Sequence, residues 1–143
     1  MYTVRDARPD DLPGIERVDL ALENHSHGDA VSRAIAEGKV AVAEGEEGIA
    51  GYVRWEHFWD TIPYCTTARV APDHQRRGLG RRLYEHVEER FRAAGIGFWL
   101  SSTEETNERS QRFHEALGFR PIGQLRELDQ DVMPELFYRK DLS

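Results

Sequence analysis

The sequence predicts a single α/β (α+β) domain built on one mixed β-sheet flanked by helices. Three observations carry that expectation. Apolar runs at 40–43, 49–55 and 64–70 are separated by turn residues, the length and spacing of consecutive antiparallel strands. From Leu79 the hydrophobic period changes: Leu79, Leu83, Val87 and Phe91 recur four apart, one stripe of an amphipathic helix. The apolar triplet Phe98-Trp99-Leu100 follows, and a strand–helix–strand succession requires at least one parallel pairing in the sheet. A chain of 143 residues suits one domain with its own core, with no repeat or Pro/Gly/Ser-rich linker to divide residues 1–143.

The elements follow in order. Residues 2–7 alternate weakly and read as a first strand. Asp10 and Asp11 offer an N-cap, and Pro13 stands in the first turn, where its missing N–H costs nothing. Leu12, Ile15, Val18 and Leu22 carry that helix to about Glu23. After a loop over 24–28, a second helix runs from about Asp29 to Glu37 and stops at Gly38. Residues 44–48 form a hairpin-like turn between the first two strands of a three-stranded meander. Gly95 closes the long helix that begins at Leu79. A further helix from about Glu108 holds Phe113 and Leu117 four apart and ends at Gly118. Residues 119–125 and 135–142 read as two closing strands.

Composition excludes some functions. With 19 Lys and Arg against 26 Asp and Glu, the net charge is −7. That argues against nucleic-acid binding, which rests on cationic contacts to phosphate, and is mildly compatible with a cationic substrate. The one cysteine, Cys65, rules out an intrachain disulfide and fits a reducing, cytoplasmic setting. It lies in an apolar strand and reads as a buried structural thiol. No apolar run approaches the ~20 residues that span a bilayer, and residues 1–6 lack a signal peptide's apolar region, so no membrane partner is expected. His25 and His27 form a His-x-His without further placed ligands, so no metal is expected.

The most informative segment runs from Val70 to Leu83 and joins a strand to a helix N-terminus. Gly78 and Gly80 permit tight curvature and close approach by a ligand. The first N–H groups of a helix lack intrahelical partners and carry the positive end of its dipole, which suits phosphate. Arg76, Arg77, Arg81 and Arg82 reverse the sign of an otherwise acidic chain here. A Walker loop is absent, and Leu83 stands where a dinucleotide fingerprint needs a third glycine. The bland alternative is a glycine turn with a solvated basic rim.

Gln75-Arg76-Arg77-Gly78-Leu79-Gly80 resembles the Gln/Arg-x-x-Gly-x-Gly/Ala motif of the GNAT acetyltransferase superfamily. The segment from Asn107 to Phe119 is similar to that family's Asn…Ala/Ser-x-x-Phe-Tyr-Glu-x-Leu-Gly-Phe. With the element order, the resemblance covers nearly the whole chain. It implies a GNAT-like acyl-CoA N-acyltransferase fold with a centrally splayed sheet. It implies acetyl-CoA as cosubstrate, its pyrophosphate on the turn carrying Gln75, Arg76, Arg77, Gly78, Leu79, Gly80 and Arg81. Its pantetheine arm would pair with the main chain near Ala68 and Val70, and Asn107 would touch the arm or cap its helix. Transfer to a primary amine would follow by direct attack in a ternary complex. That chemistry needs deprotonation of the amine, polarisation of the carbonyl oxygen and, for the thiolate, a proton.

This sequence departs from the family in having Phe113-His114 where Phe-Tyr is common. His114 is the candidate to serve the leaving thiolate, as an imidazolium acid or as a neutral ring that orients the sulfur. The alternative is a partly exposed helix residue. Glu56 is the expected base, with His57, Asp60 and Glu104 as further candidates. Trp55, Phe58, Trp59 and Tyr64 line an acceptor pocket or a core cluster. A small-molecule amine is the expected acceptor, and a homodimer is compatible with the resemblance. Three other readings stay open: protein N-terminal or lysine acetylation, a non-catalytic acyl-CoA sensor, and a nucleotide-binding domain using the same turn.

Overall fold

The computed structural model describes residues 1–128 and 133–143. One seven-stranded sheet forms the centre. Strand β1 (Thr3–Asp6) pairs with β2 (Val40–Gly45), β2 with β3 (Gly48–Phe58), and β3 with β4 (Ile62–Val70), all antiparallel. Strand β4 runs parallel to β5 (Phe98–Glu104). Strand β7 (Glu135–Asp141) is antiparallel to β5, and β6 (Arg120–Leu125) forms the edge beyond it. The helices are α1 (Leu12–Ala21), α2 (Gly28–Ala36), α3 (Leu79–Ala93) and α4 (Glu108–Ala116). The element order is that read from the sequence, and the parallel β4–β5 pairing meets the expectation of at least one.

Alternation along the strands divides the core into two layers. On β3, Val53 faces α3 and Tyr52 faces α1 and α2, both essentially inaccessible to solvent. The predicted stripe of α3 is buried through Leu83, Val87 and Phe91 against Trp99 and Tyr138. On the opposite face, Ile15 and Val18 of α1 and Val31 and Ile35 of α2 pack on Val42 and Tyr52. Glu88 is also buried within the α3 layer, where Trp99 Nε1 donates to it at 3.0 Å and Lys140 Nζ at 2.9 Å.

Two departures from the sequence reading matter for the site. Strand β3 does not end near Trp55. It continues to Phe58, paired with Ile62, because its ladder to β4 persists and Trp55 packs edge-on against Phe91 at 4.8 Å. The chain then reverses through Trp59 and Asp60, with φ of 51° and 62°. Within the same hairpin, Arg54 faces Thr67 while Trp55 faces Cys65, so Thr66 has no partner. A bulge of this kind bends its strand and raises the local twist. Past it, β4 and β5 part: Tyr64↔Leu100 is the one paired position between them.

Candidate active site

The end of β4, the β4–α3 turn and the starts of α3 and α4 enclose a cleft of about 530 Å³. Gln75 Nε2 donates to Val70 O at 3.0 Å and ties the turn to the end of β4. Arg76 and Gly78 both adopt left-handed backbone, with φ of 64° and 76°. Such residues curl successive amides around one point, a nest for anions. The amides of Arg76, Arg77 and Gly78 donate to no other backbone carbonyl among the described residues. Cations line the wall: Arg69, Arg76, Arg81 and Arg109, together with His74 and without any carboxylate. Arg69 is fixed by the buried Asp19 at 2.6 Å and by Tyr52 Oη at 3.3 Å.

Deeper in the seam lies a smaller cavity of about 110 Å³, between Cys65–Ala68 of β4, Ser101 and Ser102 of β5, and Ser110 and His114 of α4. Its polar wall is an ordered chain. His114 Nδ1 lies 2.7 Å from Ser110 O, and a carbonyl only accepts, so Nδ1 carries the proton. Nε2 of the neutral ring therefore accepts from the Ser101 hydroxyl, 2.7 Å away. Ser101 Oγ then accepts from Tyr84 Oη at 3.1 Å, and Tyr84 Oη accepts from Cys65 Sγ at 3.3 Å. Burial lowers the His114 pKa, and the Ser110 carbonyl only partly opposes this. Burial pushes the Cys65 thiol up to about 11, which makes it a poor nucleophile.

Most sequence candidates converge on this seam. Ala68, Val70, Gln75, Arg76, Gly78, Leu79, Gly80, Arg81 and Asn107 all line the cleft. Arg77 does not: its side chain turns away to donate to Tyr2 Oη at 2.8 Å. Asn107 caps α4, its Oδ1 accepting from Ser110 N at 3.0 Å, while also facing the cleft. His114 is not a partly exposed helix residue; it is buried at 2% exposure and stacks on Tyr138. Glu56 lines neither space. Its carboxylate lies 3.3 Å from Lys39 Nζ and 4.0 Å from Arg54 Nη1. Trp55 belongs to the core and Trp59 is exposed at the hairpin tip.

The sequence reading missed Arg69, His74, Arg109 and Phe113 as cleft residues, and Ser101 and Tyr84 as partners of His114. Arg109 and Phe113 lie inside the Asn107–Phe119 motif segment, a local signal that could have found them. Arg69 and Ser101 depend on pairings across the sheet that carry no local signal. His25 and His27 gain no further ligand: among the described residues no three His, Cys, Asp or Glu side chains converge. Among the same residues, no helix is long and apolar enough to cross a membrane.

Among solved structures, this fold superposes on acetyltransferases. A GNAT acetyltransferase from Bacillus cereus superposes with a TM-score of 0.85 at 26% identity, covering 100% of this chain and 99% of that one. The ribosomal-protein-S18-alanine N-acetyltransferase of Escherichia coli shares the fold, with a TM-score of 0.86 at 20% identity over 100% of this chain and 95% of that one. The chain belongs to the Acetyltransferase (GNAT) family, which it matches over residues 4–119. The L-methionine sulfoximine/L-methionine sulfone acetyltransferase of Pseudomonas paraeruginosa is 30% identical over 90% of this chain and 86% of its own length. The L-amino acid N-acyltransferase MnaT of Escherichia coli is 30% identical over 62% of this chain. That match spans about half, 54%, of the relative's length.

Proposed function

We propose that this protein transfers an acetyl group from acetyl-CoA to the primary amine of a small molecule, by direct attack in a ternary complex. The observation that carries this reading is the continuity of the seam: a cationic nest at the mouth, an unpaired strand edge along one wall, and a hydroxyl-lined cavity at the base. The nest around Gly78 and the guanidinium groups of Arg76, Arg81 and Arg109 suit a pyrophosphate. Beyond Tyr64, β4 has no partner on β5, so main-chain groups near Ala68 and Val70 are available to the amides of a pantetheine arm. The acetyl thioester then reaches the cavity beside Ser101, Ser110 and His114.

In this reading His114 works as a neutral ring. It holds the Ser101 hydroxyl on the cavity wall, and through it the polar surroundings of the departing sulfur. Glu56, held by Lys39 and Arg54, lies on the sheet face that bears Tyr64, its partner in the ladder, and helps set the charge of the acceptor side. The two relatives named for amino-acid and methionine-derivative acceptors favour an acceptor of that size, carrying both an amine and a carboxylate.

Calorimetric titration with acetyl-CoA, with ATP as control, tests the cosubstrate. Selective binding that is lost in Gly78→Glu supports the reading, and an amine panel led by L-methionine sulfone and free L-amino acids then tests transfer. Equal binding of ATP, or none of either, refutes it.

A further inference from the structure

Alternation along β4 sends neighbouring side chains to opposite faces of the sheet. Ala68 pairs with Val53, which faces α3, and Arg69 pairs with Tyr52, which faces α1 and α2. Arg69 therefore stands on the α1–α2 face, whereas Arg81 belongs to α3 and Arg109 to α4. It nevertheless lines the cleft, together with Leu22 at the end of α1. The pyrophosphate reading uses Arg76, Arg81 and Arg109, and leaves Arg69 as a cation without a task.

One end of the Arg69 guanidinium is already committed. Nη1 donates to Asp19 Oδ1 at 2.6 Å and to Tyr52 Oη at 3.3 Å, and Tyr52 Oη donates to the same Oδ1 at 2.6 Å. Asp19 is 1% exposed and its Oδ2 meets no donor, so this carboxylate depends on Arg69 and Tyr52 alone. Nε and Nη2 of Arg69 donate to no group among the described residues. Those two nitrogens form the second edge of the guanidinium fork, which matches a carboxylate through two parallel hydrogen bonds. The side chain keeps 22% of its surface accessible, on a cleft wall that holds no carboxylate.

We infer that the Nε–Nη2 edge of Arg69 binds the carboxylate of an α-amino-acid acceptor and so makes Arg69 a specificity-determining residue. This rests on the acetyltransferase reading above. Cys65 belongs to the α3 layer, so Tyr64 shares the α1–α2 face with Arg69. The small cavity is bounded on β4 by Cys65, Thr66, Thr67 and Ala68, and Arg69 is the next residue, about 3 Å further along the strand. An amine at the Ala68 end of that cavity and a carboxylate on Arg69 are close neighbours, as are the two groups on one α-carbon. With Asp19 already on one edge, a singly charged carboxylate suits the other edge better than a doubly charged phosphate, because the anions repel. A guanidinium held in place by Asp19 and Tyr52 also loses little freedom when it binds.

The test compares L-methionine sulfone with its amide, which keeps the amine and the side chain and lacks the carboxylate. If that acid is not accepted, the best α-amino acid of the panel and its amide take their place. The kcat/KM for each is measured in wild type, Arg69→Gln and Arg69→Lys. Arg69→Gln is expected to lower the acid-to-amide ratio about 10- to 100-fold, mainly through the KM of the acid. The ratio is compared between proteins, so the different basicities of the two amines cancel. Arg69→Lys keeps a charge beside Asp19 without the fork and should retain part of the ratio. The calorimetric Kd for acetyl-CoA should stay unchanged. The same ratio in all three proteins, a weakened acetyl-CoA Kd in place of a changed ratio, or a wild type that acetylates only amines without a carboxylate overturns the proposal and leaves the acetyltransferase reading intact. Should Arg69→Gln fail to fold by circular dichroism, because it strands Asp19, Arg69→Lys carries the same readout. Failure of the wild type to acetylate any amine while binding acetyl-CoA overturns both readings.

Discussion

Acid should unfold this protein partly through His114. The ring is 2% exposed and has a lowered pKa, so the folded state resists protonation that the unfolded chain accepts near 6.5. The folded value lies below the unfolded one. Stability from the neutral ring is therefore full above about pH 6.5 and is lost as pH falls toward the folded pKa. With an unfolded pKa of about 6.5, this loss is bounded at about 1.4 kcal/mol at pH 5.5 and at about 0.1 kcal/mol at pH 7.5. Urea denaturation at the two pH values measures this loss, and His114→Gln, which cannot titrate, supplies the reference. Other titrating groups contribute to both proteins and cancel in the comparison. The variant should lose less stability on acidification than wild type, by at most about 1.4 kcal/mol. Equal acid losses in the two proteins would show that the ring is charged or accessible in the fold, and the ordered chain from Cys65 to Ser110 would be wrong.

Three further outcomes are expected. Gly78→Ala places a side chain at φ 76° and should cost about 1–2 kcal/mol in denaturation; no neighbouring atom lies within 4 Å of the new Cβ, so any larger loss would mean that the turn packs differently. Tyr2→Phe removes the hydroxyl that meets His74 Nδ1 at 2.7 Å and Arg77 Nη1 at 2.8 Å. Stability should change by about 1 kcal/mol, while the calorimetric Kd for acetyl-CoA rises about threefold or more; an unchanged Kd would remove β1 from the support of the turn. Glu88→Ala strands the Lys140 ammonium and the Trp99 N–H in the core and should cost about 3–5 kcal/mol, read as a fall in Tm. A loss below about 1 kcal/mol would mean that Lys140 finds water.

The element order was legible because period and punctuation agree along most of the chain: the fourfold spacing from Leu79 to Phe91, the glycines at 38, 95 and 118, and the short apolar runs between turns. The glycine-bearing turn between β4 and α3 was legible for the same reason, being local. What escaped notice depends on contacts distant in sequence. Trp55 to Phe58 has the look of an aromatic loop, and only pairing with β4 and the ring of Phe91 make it strand. The left-handed φ of Arg76 is not encoded by a residue type that favours it. His114 stands beside the stripe residue Phe113, so helical spacing marks it as a flank; its burial is decided by Ser101 and Tyr138, on two other strands.

The seam between β4 and β5 also bears on how the molecule holds together. Four strands on one side and three on the other meet at Tyr64↔Leu100, and elsewhere along the divide cohesion comes from side chains of α3 and α4 rather than from a continuous ladder. A ligand whose amides pair with the free edge of β4 acts as mortar as well as reactant. Its binding free energy adds to the folding free energy, and amide hydrogens on both banks should exchange more slowly in its presence. Each turnover would then loosen and re-knit the middle of the protein, tying the release of product to the mechanics of the sheet.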